Sequence, residues 1–137
     1  MMDQCIFTAV RKANRVLFRH YQDALSETGI SIVQLSILRA LERNGAVTLS
    51  RLADDLAMER TSLYRTIEPL IESGAVQVEN APTGKSKIAK LTAVGHDTIE
   101  RVMPFWAQAQ KQVLNELALS ELPEFRRALN AIARLSS

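Results

Sequence analysis

The sequence is poor in the residue types on which disulfide frameworks and turn-rich folds depend. Of its 137 residues, one is cysteine, five are glycine and four are proline. A single cysteine excludes intrachain disulfides and fits a reducing compartment, and so few glycines and prolines leave little turn material for an all-β fold. No apolar run approaches the roughly 20 residues of a membrane-spanning helix, and none near the start resembles a signal peptide. We therefore expect a cytoplasmic protein that does not insert into a membrane.

Residues that carry enzyme and metal chemistry are equally scarce. The two histidines, His20 and His96, have metal-ligand spacing neither to each other nor to Cys5. The sequence contains no glycine-rich phosphate-binding loop and no arrangement that suggests a Ser-His-Asp triad. We therefore predict a protein that is not an enzyme and that uses no metal and no other cofactor.

What is present is an ordinary globular composition. Hydrophobic residues make up 47% and charged residues 23% of the chain, which argues against disorder, and the length suits a single domain spanning residues 1–137. The formal net charge is only +2. Because that balance does not by itself suggest nucleic acid, the case for such a partner depends on where the charges lie.

Helical periodicity dominates the chain. Apolar residues recur at helical spacing from about residue 4 to residue 27, and again over residues 32–43. Two short helices joined by a tight turn follow in residues 48–73, and the alternating residues beyond them predict a β-hairpin. Thr92 and Ser120 are placed to cap two further helices. The order predicts a mainly α-helical fold with one small hairpin.

The first and last helices each carry an apolar stripe, over residues 7–25 and 122–135, although both lie far in sequence from the middle segment. A single chain could fold these helices back onto itself. The alternative, which we favour, is that the end helices of two chains interlock and bury what one chain leaves open. This predicts a homodimer whose intertwined dimerisation region comprises residues 1–30 and 93–137.

The second helix of the middle pair, predicted over residues 59–73, has two chemically different faces. On a wheel of about 100° per residue, Leu63, Ile67, Leu70 and Ile71 share one arc. Hydroxyls and cations occupy the opposite side of the first two turns, and carboxylates follow one to two turns later, which suits a helix that enters the DNA major groove by its N-terminal end. A solvated helix face with ordinary charge patterning is the alternative. The residues assigned to contact double-stranded DNA are Arg60, Thr61, Ser62, Tyr64 and Arg65, with Arg65 as the candidate guanine ligand.

The predicted hairpin ends in a basic tip. It carries Lys85, Ser86 and Lys87, and no acid occurs between residues 80 and 90. Beside a helix-turn-helix, such a loop is a wing that can contact the minor groove or its phosphates. Residues 48–92 nevertheless contain six basic and six acidic side chains, so their net charge is zero. A winged helix that binds proteins and not DNA therefore stays open as the alternative.

Five stretches carry a family resemblance: "VRKANRVLFRHYQDAL", "VQLSILRALERNG", "LSRLADDLAMERTSLYRTIEPLIESGAV", "GKSKIAKL" and "LTAVGHDTI". In this order they resemble the MarR family of dimeric winged helix-turn-helix transcription regulators, over nearly the whole chain. The resemblance implies a winged DNA-binding lobe at residues 31–92, with the first and the last two helices as the dimer interface. It also implies that the homodimer binds a palindromic operator, usually as a repressor, and that a small phenolic or lipophilic effector, or oxidation, often releases it.

Two features depart from the family pattern. Many members carry an Asp-Arg-Arg type sequence at the wing, whose arginine enters the minor groove, and here "TGKSK" replaces it. Lysine presents a point charge without the planar fork of arginine, so we expect weaker reading of groove shape. Pro69 lies inside the recognition helix, where it removes the hydrogen bond to the Arg65 carbonyl and should bend the helix beyond its reading end. Some members carry proline at this place, so we expect it to be tolerated.

An effector pocket is harder to place. Members of the family often bind effectors where the dimer helices meet the DNA-binding lobe. An arginine beside aromatic side chains suits an anionic aromatic ligand, but Trp106 on an apolar stripe also fits a place in the core, and the arginines could pair with acids. No ligand is therefore assigned. The candidate pocket comprises Arg15, Phe18, Arg19, His20 and Trp106.

Cys5 raises the alternative of a redox-sensing regulator. Peroxide-sensing members of the family carry a reactive cysteine in the first helix, but the alignment of "RKANRVLFRHY" puts Phe7 at that position. A helix N-terminus with arginine nearby could still lower the pKa of the Cys5 thiol. We expect peroxide to leave operator binding unchanged.

Overall fold

Six α-helices and a three-stranded antiparallel sheet make up the part of the chain that the computed structural model describes, residues 5–118 and 120–136. The prediction of a mainly α-helical winged helix-turn-helix is confirmed. The predicted division into a lobe and a dimerisation region stays a prediction, and residues 1–4, 119 and 137 of that region lie outside the described residues. In chain order the elements are α1 (Ile6–Ala24), α2 (Ile32–Asn44), β1 (Val47–Thr48), α3 (Leu49–Asp55), α4 (Arg60–Glu72), β2 (Val76–Asn80), β3 (Lys87–Leu91), α5 (Ala93–Glu116), α6 (Leu122–Ala133) and a 3-10 turn (Arg134–Ser136).

Side-chain caps start two of the long helices. At α2, the Ser31 hydroxyl accepts a hydrogen bond from the Gln34 amide at 3.0 Å, and Gln34 Oε1 accepts one from the Ser31 amide at 2.9 Å. This reciprocal capping box satisfies two amides that have no partner within the helix. At α5, the Thr92 hydroxyl accepts a hydrogen bond from the Gly95 amide at 3.1 Å, so the predicted cap at Thr92 is confirmed.

The predicted cap at Ser120 is wrong. The last helix begins at Leu122, and the residue before it, Glu121, makes no side-chain cap. Pro123 occupies the second position of α6, where its fixed φ is already helical and its missing amide hydrogen has no partner to lose. Pro123, and not a side-chain cap, therefore favours the start of α6 at this place.

The first helix is shorter than predicted at its C-terminus. It ends at Ala24 instead of near residue 27, because the Thr28 hydroxyl donates to the Leu25 carbonyl at 2.7 Å and turns the chain. Its predicted start near residue 4 lies outside the described residues. Leu25 is buried at the turn and fixes the end of α1 against α2 and α5.

Helices α3 and α4 form the predicted helix-turn-helix over α2. Leu52 from α3 and Leu63, Ile67 and Leu70 from α4 are buried in one apolar cluster. Ile71, predicted to share this face, is 40% exposed. It lies about 100° further round the helix than Leu70, which takes it to the edge of the buried face.

Between α3 and α4 the backbone adopts a left-handed conformation at a residue with a side chain: Ala57 has φ +53°. Such a conformation crowds Cβ against the following carbonyl. We expect Ala57→Gly to raise the free energy of unfolding by about 0.5–1 kcal/mol, since relief of this crowding exceeds the extra chain entropy of glycine. Urea denaturation followed by circular dichroism measures the change. Ala57→Val should destabilise the protein, and a glycine variant less stable than the parent would contradict the prediction.

The sheet has the strand order β1-β3-β2 and is antiparallel throughout. In the β2-β3 hairpin, Val76 pairs with Leu91 at the end far from the turn, and Asn80 pairs with Lys87 beside the turn. The predicted hairpin is therefore confirmed, and the short extended piece predicted before α3 is the edge strand, with Val47 opposite Ala89.

The hairpin and the long helix α5 meet in a close junction. The Ala75 carbonyl, between α4 and β2, accepts a hydrogen bond from the Thr92 amide at 3.1 Å, and the Thr92 hydroxyl donates to the neighbouring Gly74 carbonyl at 2.5 Å. A Cβ atom on Gly95 would lie 2.3 Å from the Ala75 carbonyl oxygen and 2.4 Å from Leu91 Cδ1. The start of α5 thus packs directly on the backbone that follows the recognition helix.

A long apolar surface stays uncovered within one chain. No residue of α1 or α6 is buried, and their predicted inward faces are open: Phe7 is 69% and Leu135 is 83% exposed. Around each of these helices the apolar face alternates with a polar face. No described helix is long and apolar enough to cross a membrane. The large apolar side chains of α5 are buried only in part, with Ile99 and Val102 in the core.

Candidate nucleic-acid interface

The outward face of α4 presents the side chains predicted to read DNA. Leu63, Ile67 and Leu70 are each 1% exposed and hold one side of α4 against the core. The opposite side of α4 is exposed to solvent in its first two turns. No described carboxylate forms an ion pair with either of the arginines on that side. The exposed side chains there are Arg60, Thr61, Ser62, Tyr64 and Arg65.

Backbone groups add to this surface. Glu59 precedes α4 without a side-chain cap, so the first amides of the helix point outward with no internal acceptor. Such amides, at the positive end of the helix dipole, favour phosphate. Thr66, one turn further on, is turned back, because its hydroxyl donates to the Ser62 carbonyl at 2.8 Å. The free side chains therefore concentrate at the N-terminal end of α4.

The wing tip supplies a second group of cations. Lys85, Ser86 and Lys87 are all exposed, and the Ser86 carbonyl accepts a hydrogen bond from the Ala81 amide at 2.9 Å, which closes the loop. Lys90 lies on the stem of the hairpin, 3.7 Å from Glu79 across the strands. The wing's unpaired charge is thus carried by Lys85 and Lys87.

Ion pairs neutralise some of the charges of residues 48–92, whose net charge is zero. Arg51 pairs with Asp55 within α3 at 3.9 Å, as Lys90 does with Glu79. Within residues 48–92, the cations left without an ion pair among the described residues are those on the α4 face and the wing tip. Glu68 and Glu72 lie about 5 and 11 Å beyond Arg65 along the helix axis, at about 1.5 Å per residue, whereas Glu59 directly precedes the helix.

Comparisons with known proteins point to one family. A family model described as a helix-turn-helix domain matches residues 33–79. An uncharacterised HTH-type transcriptional regulator of Staphylococcus aureus is 26% identical over 122 residues, which are 88% of this chain and 84% of that protein. The crystal structure of the M. tuberculosis transcriptional regulator MosR in complex with DNA has a TM-score of 0.84 at 28% identity, covering 97% of this chain and 96% of that chain. AbsC, a MarR family transcriptional regulator from Streptomyces coelicolor, has the same fold, with a TM-score of 0.83 at 24% identity over 97% and 93% of the two chains.

This chain is a DNA-binding transcription regulator with the winged helix-turn-helix fold of the MarR regulators. The resemblance predicted from the sequence is confirmed, and these matches are to regulators and not to enzymes. Among the described residues, no three His, Cys, Asp or Glu side chains are grouped to hold a metal ion. The DNA contacts assigned to individual residues of α4 and the wing stay predictions.

The predicted effector residues of this regulator do not meet in one pocket within one chain. His20 donates to the Ala109 carbonyl at 3.1 Å and lines a cavity between α1, α5 and α6, whereas Trp106 lines another, between α2 and α5. Arg15, Phe18 and Arg19 are exposed on α1 and line neither of these two cavities. At about 100° per residue they lie on other sides of α1 than His20, which separates them within one chain.

Sequence reasoning missed the arginine that does lie against Trp106. The guanidinium carbon of Arg39 is 5.0 Å from the centre of the Trp106 ring. Arg39 lies on α2, a segment that was interpreted only for its apolar periodicity. Nothing in the sequence indicated its contact with Trp106.

Cys5 lies at the N-cap of α1 and is fully exposed. Hydrogen bonds from the backbone amides of Thr8 and Phe7 lower the pKa of the Cys5 thiol, since they stabilise the thiolate. No other cysteine exists in the chain to form a disulfide with it.

Proposed function

We propose that two copies of this MarR-family regulator bind one palindromic operator in double-stranded DNA and repress transcription from it in the cytoplasm. The observation that carries the proposal is the segregation of charge on the lobe. Arg60, Arg65, Lys85 and Lys87 are exposed and have no ion-pair partner among the described residues, on the two elements that a winged helix uses to contact DNA. Likeness to MosR, whose structure was determined in complex with DNA, supports the same reading.

The open apolar surface supports the dimer. A cavity of about 520 Å³ lies between α1, α5 and α6 and is lined mostly by apolar side chains, and both end helices lack buried residues. A second copy related by a two-fold axis would cover this surface with the same surface of its own. That axis would relate two recognition helices, which can enter successive major grooves about 34–36 Å apart. The lining residues are Ala13, Val16, Leu17, His20, Gln112, Val113, Glu116, Leu117 and Phe125.

A second candidate function is a winged helix that binds another protein, which the zero net charge of residues 48–92 favours. Salt dependence separates the two candidates. Contacts with phosphates release counterions, so the affinity of a DNA-binding protein falls steeply as salt rises. An affinity for DNA that does not respond to salt would favour the protein-binding candidate.

Selection of DNA from a random pool by the purified protein tests the proposal directly. We expect a two-fold symmetric consensus whose half-sites are about one helical turn apart. Sedimentation equilibrium of the same preparation at micromolar concentration should give a dimer. A monomer at that concentration, or a pool that shows no enrichment, would overturn the proposal.

The two wing lysines are expected to act without regard to sequence. Lys85→Ala and Lys87→Ala should each weaken binding to all DNA sequences and reduce the slope of log Kd against log salt by about one, since each removes one phosphate contact. Fluorescence anisotropy with operator and scrambled duplexes at several salt concentrations measures both quantities. Lys90→Ala is the matched control, because Lys90 is already paired with Glu79. If the slope of log Kd against log salt is unchanged in both tip variants, the wing does not contact the DNA phosphates.

A further inference from the structure

The excess of basic side chains in this chain is concentrated on the first helix. The chain has 17 basic and 15 acidic side chains, of which α1 holds four and one respectively. The remainder therefore has 13 basic and 14 acidic side chains, so the positive net charge of the protein comes from α1. The four cations, which we call the α1 stripe, are Arg11, Lys12, Arg15 and Arg19.

The α1 stripe lies on the outer side of its helix. At about 100° per residue, its four cations fall within an arc of about 100°, and all four are exposed. The other side of α1 packs on α5, where His20 donates to the Ala109 carbonyl at 3.1 Å and the Tyr21 hydroxyl donates to Gln110 Oε1. The packing of α1 on α5 therefore leaves the stripe open.

The cations of the α1 stripe repel one another and have no ion-pair partner among the described residues. Asp23, the one acid of α1, follows Arg19 by four residues and still forms no ion pair with it. Arg15 lies four residues from both Arg11 and Arg19 and three from Lys12. Side chains at these spacings are neighbours on the helix surface, and like charges there destabilise the helix. A polyanion bound along the stripe would remove this repulsion.

We propose that the α1 stripe binds a second DNA duplex, without regard to its sequence, while the recognition helices and wings hold the operator. Duplex DNA carries one negative charge per about 1.7 Å of its axis. Arg11, Arg15 and Arg19 follow one another at about 6 Å along α1, so a duplex that lies along the helix offers a phosphate to each of them. Guanidinium groups bind phosphate in bidentate, charge-assisted hydrogen bonds.

The composition of the stripe favours DNA over a protein partner. The residues that dominate the affinity of a protein interface fill desolvated pockets near its centre. The four cations of the stripe line neither the cavity between α1, α5 and α6 nor the one between α2 and α5. Four neighbouring charges of one sign, beside neither of these cavities, suit the regular phosphates of a duplex better.

The place of α1 in the fold assigns the stripe to a duplex other than the operator, an assignment that rests on the proposed function. Helix α1 packs on α5 and α2, whereas α4 packs on α2, α3 and β2. Helix α2 thus separates the stripe from the recognition helix. A duplex held by α4 and the wing lies on the other side of α2, so the protein can join two duplexes.

Capture of a second duplex tests the proposal. The full-length protein is loaded onto an immobilised operator duplex, unbound protein is washed away, and a labelled duplex of scrambled sequence is added at several salt concentrations. We expect capture that requires the protein and falls steeply as salt rises, because phosphate contacts release counterions. Operator binding without capture at low salt overturns the proposal. A gain in operator affinity on lengthening the duplex, lost when the stripe is neutralised, would assign the stripe to flanking DNA and also overturn it.

Arg15→Gln combined with Arg19→Gln neutralises the middle of the stripe, and glutamine keeps the helix propensity of arginine. Affinity for the second duplex should fall by roughly tenfold or more, and the slope of its log Kd against log salt by about two, since two phosphate contacts are lost. Operator affinity, measured by anisotropy on a short duplex, should change by less than about twofold, because α4 and the wing are intact. Equal capture by the parent and this variant overturns the assignment.

Two further pairs of substitutions control for charge and for folding. Lys111→Gln with Arg127→Gln removes the same charge from exposed positions of α5 and α6, and it should leave capture unchanged. Arg15→Lys with Arg19→Lys keeps the charge and should capture the second duplex nearly as well as the parent, since lysine also binds phosphate as a point charge. Loss of capture in the Lys111 and Arg127 variant equal to that of the stripe variant would overturn the assignment to α1.

Other partners of the stripe give different results. If acids of a second subunit pair with it, the glutamine variant should weaken the dimer in sedimentation equilibrium, and the parent should capture no second duplex. If it binds an acidic protein segment, poly-L-glutamate should bind the parent more tightly than the glutamine variant, again without capture of DNA. Either result overturns the proposal.

The two proposals can fail independently. Operator binding without capture of a second duplex overturns the stripe proposal alone. Binding of scrambled DNA that depends on the stripe, without any preference for an operator, overturns the proposed function and leaves the stripe as a DNA-binding surface.

Discussion

Replacing Gly95 with alanine is expected to lower the free energy of unfolding by about 3 kcal/mol, the upper part of the usual range for overpacking a core site. The added Cβ would lie 2.3 Å from the Ala75 carbonyl oxygen and 2.4 Å from Leu91 Cδ1. The carbonyl cannot withdraw freely, because it accepts a hydrogen bond from the Thr92 amide while the Thr92 hydroxyl holds the neighbouring Gly74 carbonyl. Alanine is otherwise the better helix former by about 1 kcal/mol, so the sign of the change decides between close packing and helix propensity.

Urea denaturation measures this effect, with Gly84→Ala as the control. Gly84 has φ +85° and no atom within 4 Å of an added Cβ, so alanine there should lower stability only by the about 1–2 kcal/mol of a left-handed backbone. The Gly95 variant should also bind the operator less tightly, since α5 begins on the backbone that ends the recognition helix. A Gly95→Ala protein as stable as the parent would show that the junction is looser than these distances state.

The parts of the fold that depend on neighbours in sequence could be predicted. The cap at Thr92, the hairpin and the buried face of α4 at Leu63, Ile67 and Leu70 all follow from local spacing. Helix α2 shows where such reasoning ends. Ile37 lies outside the stripe that Ile32, Leu35, Leu38 and Leu41 form at helical spacing. It is nevertheless fully buried, because α2 is central and packs against α4, the sheet and α5 on different sides. Periodicity along one helix cannot reveal how many of its sides are covered.

The same distinction between local spacing and long-range packing applies to the candidate sites. The outward face of α4 was predictable because Arg60 and Arg65 share a helix whose period fixes which side chains lie opposite the core. The contact between Arg39 and Trp106 joins two helices that are distant in sequence, and only the packing of α2 against α5 brings them together. Within one chain Arg15 and Arg19 do not lie beside Trp106, for the converse reason that both arginines are on the exposed side of α1.

The largest effect on function is expected from Arg65→Ala. If Arg65 contacts a guanine in each half-site, its loss should reduce discrimination against the wrong base by about 1–3 kcal/mol per half-site. A symmetric dimer makes the contact twice, so the preference for operator over scrambled DNA should fall by about 2–6 kcal/mol in total when the two half-sites act independently. The helix itself should stay intact, because Arg65 is exposed and makes no ion pair among the described residues.

Two further variants identify what Arg65 contributes. Arg65→Lys keeps the charge but loses the planar fork, so it should retain most of the non-specific affinity and still lose base preference. Arg51→Ala removes an arginine from α3 that is paired with Asp55, and it should leave the preferred bases unchanged. Selection from a random pool, repeated with each variant, reads out preference position by position. An Arg65→Ala protein that selects the parental consensus would assign base reading to other side chains of α4, of which Arg60 would be the next candidate, because it is the other exposed arginine at the same end of the helix.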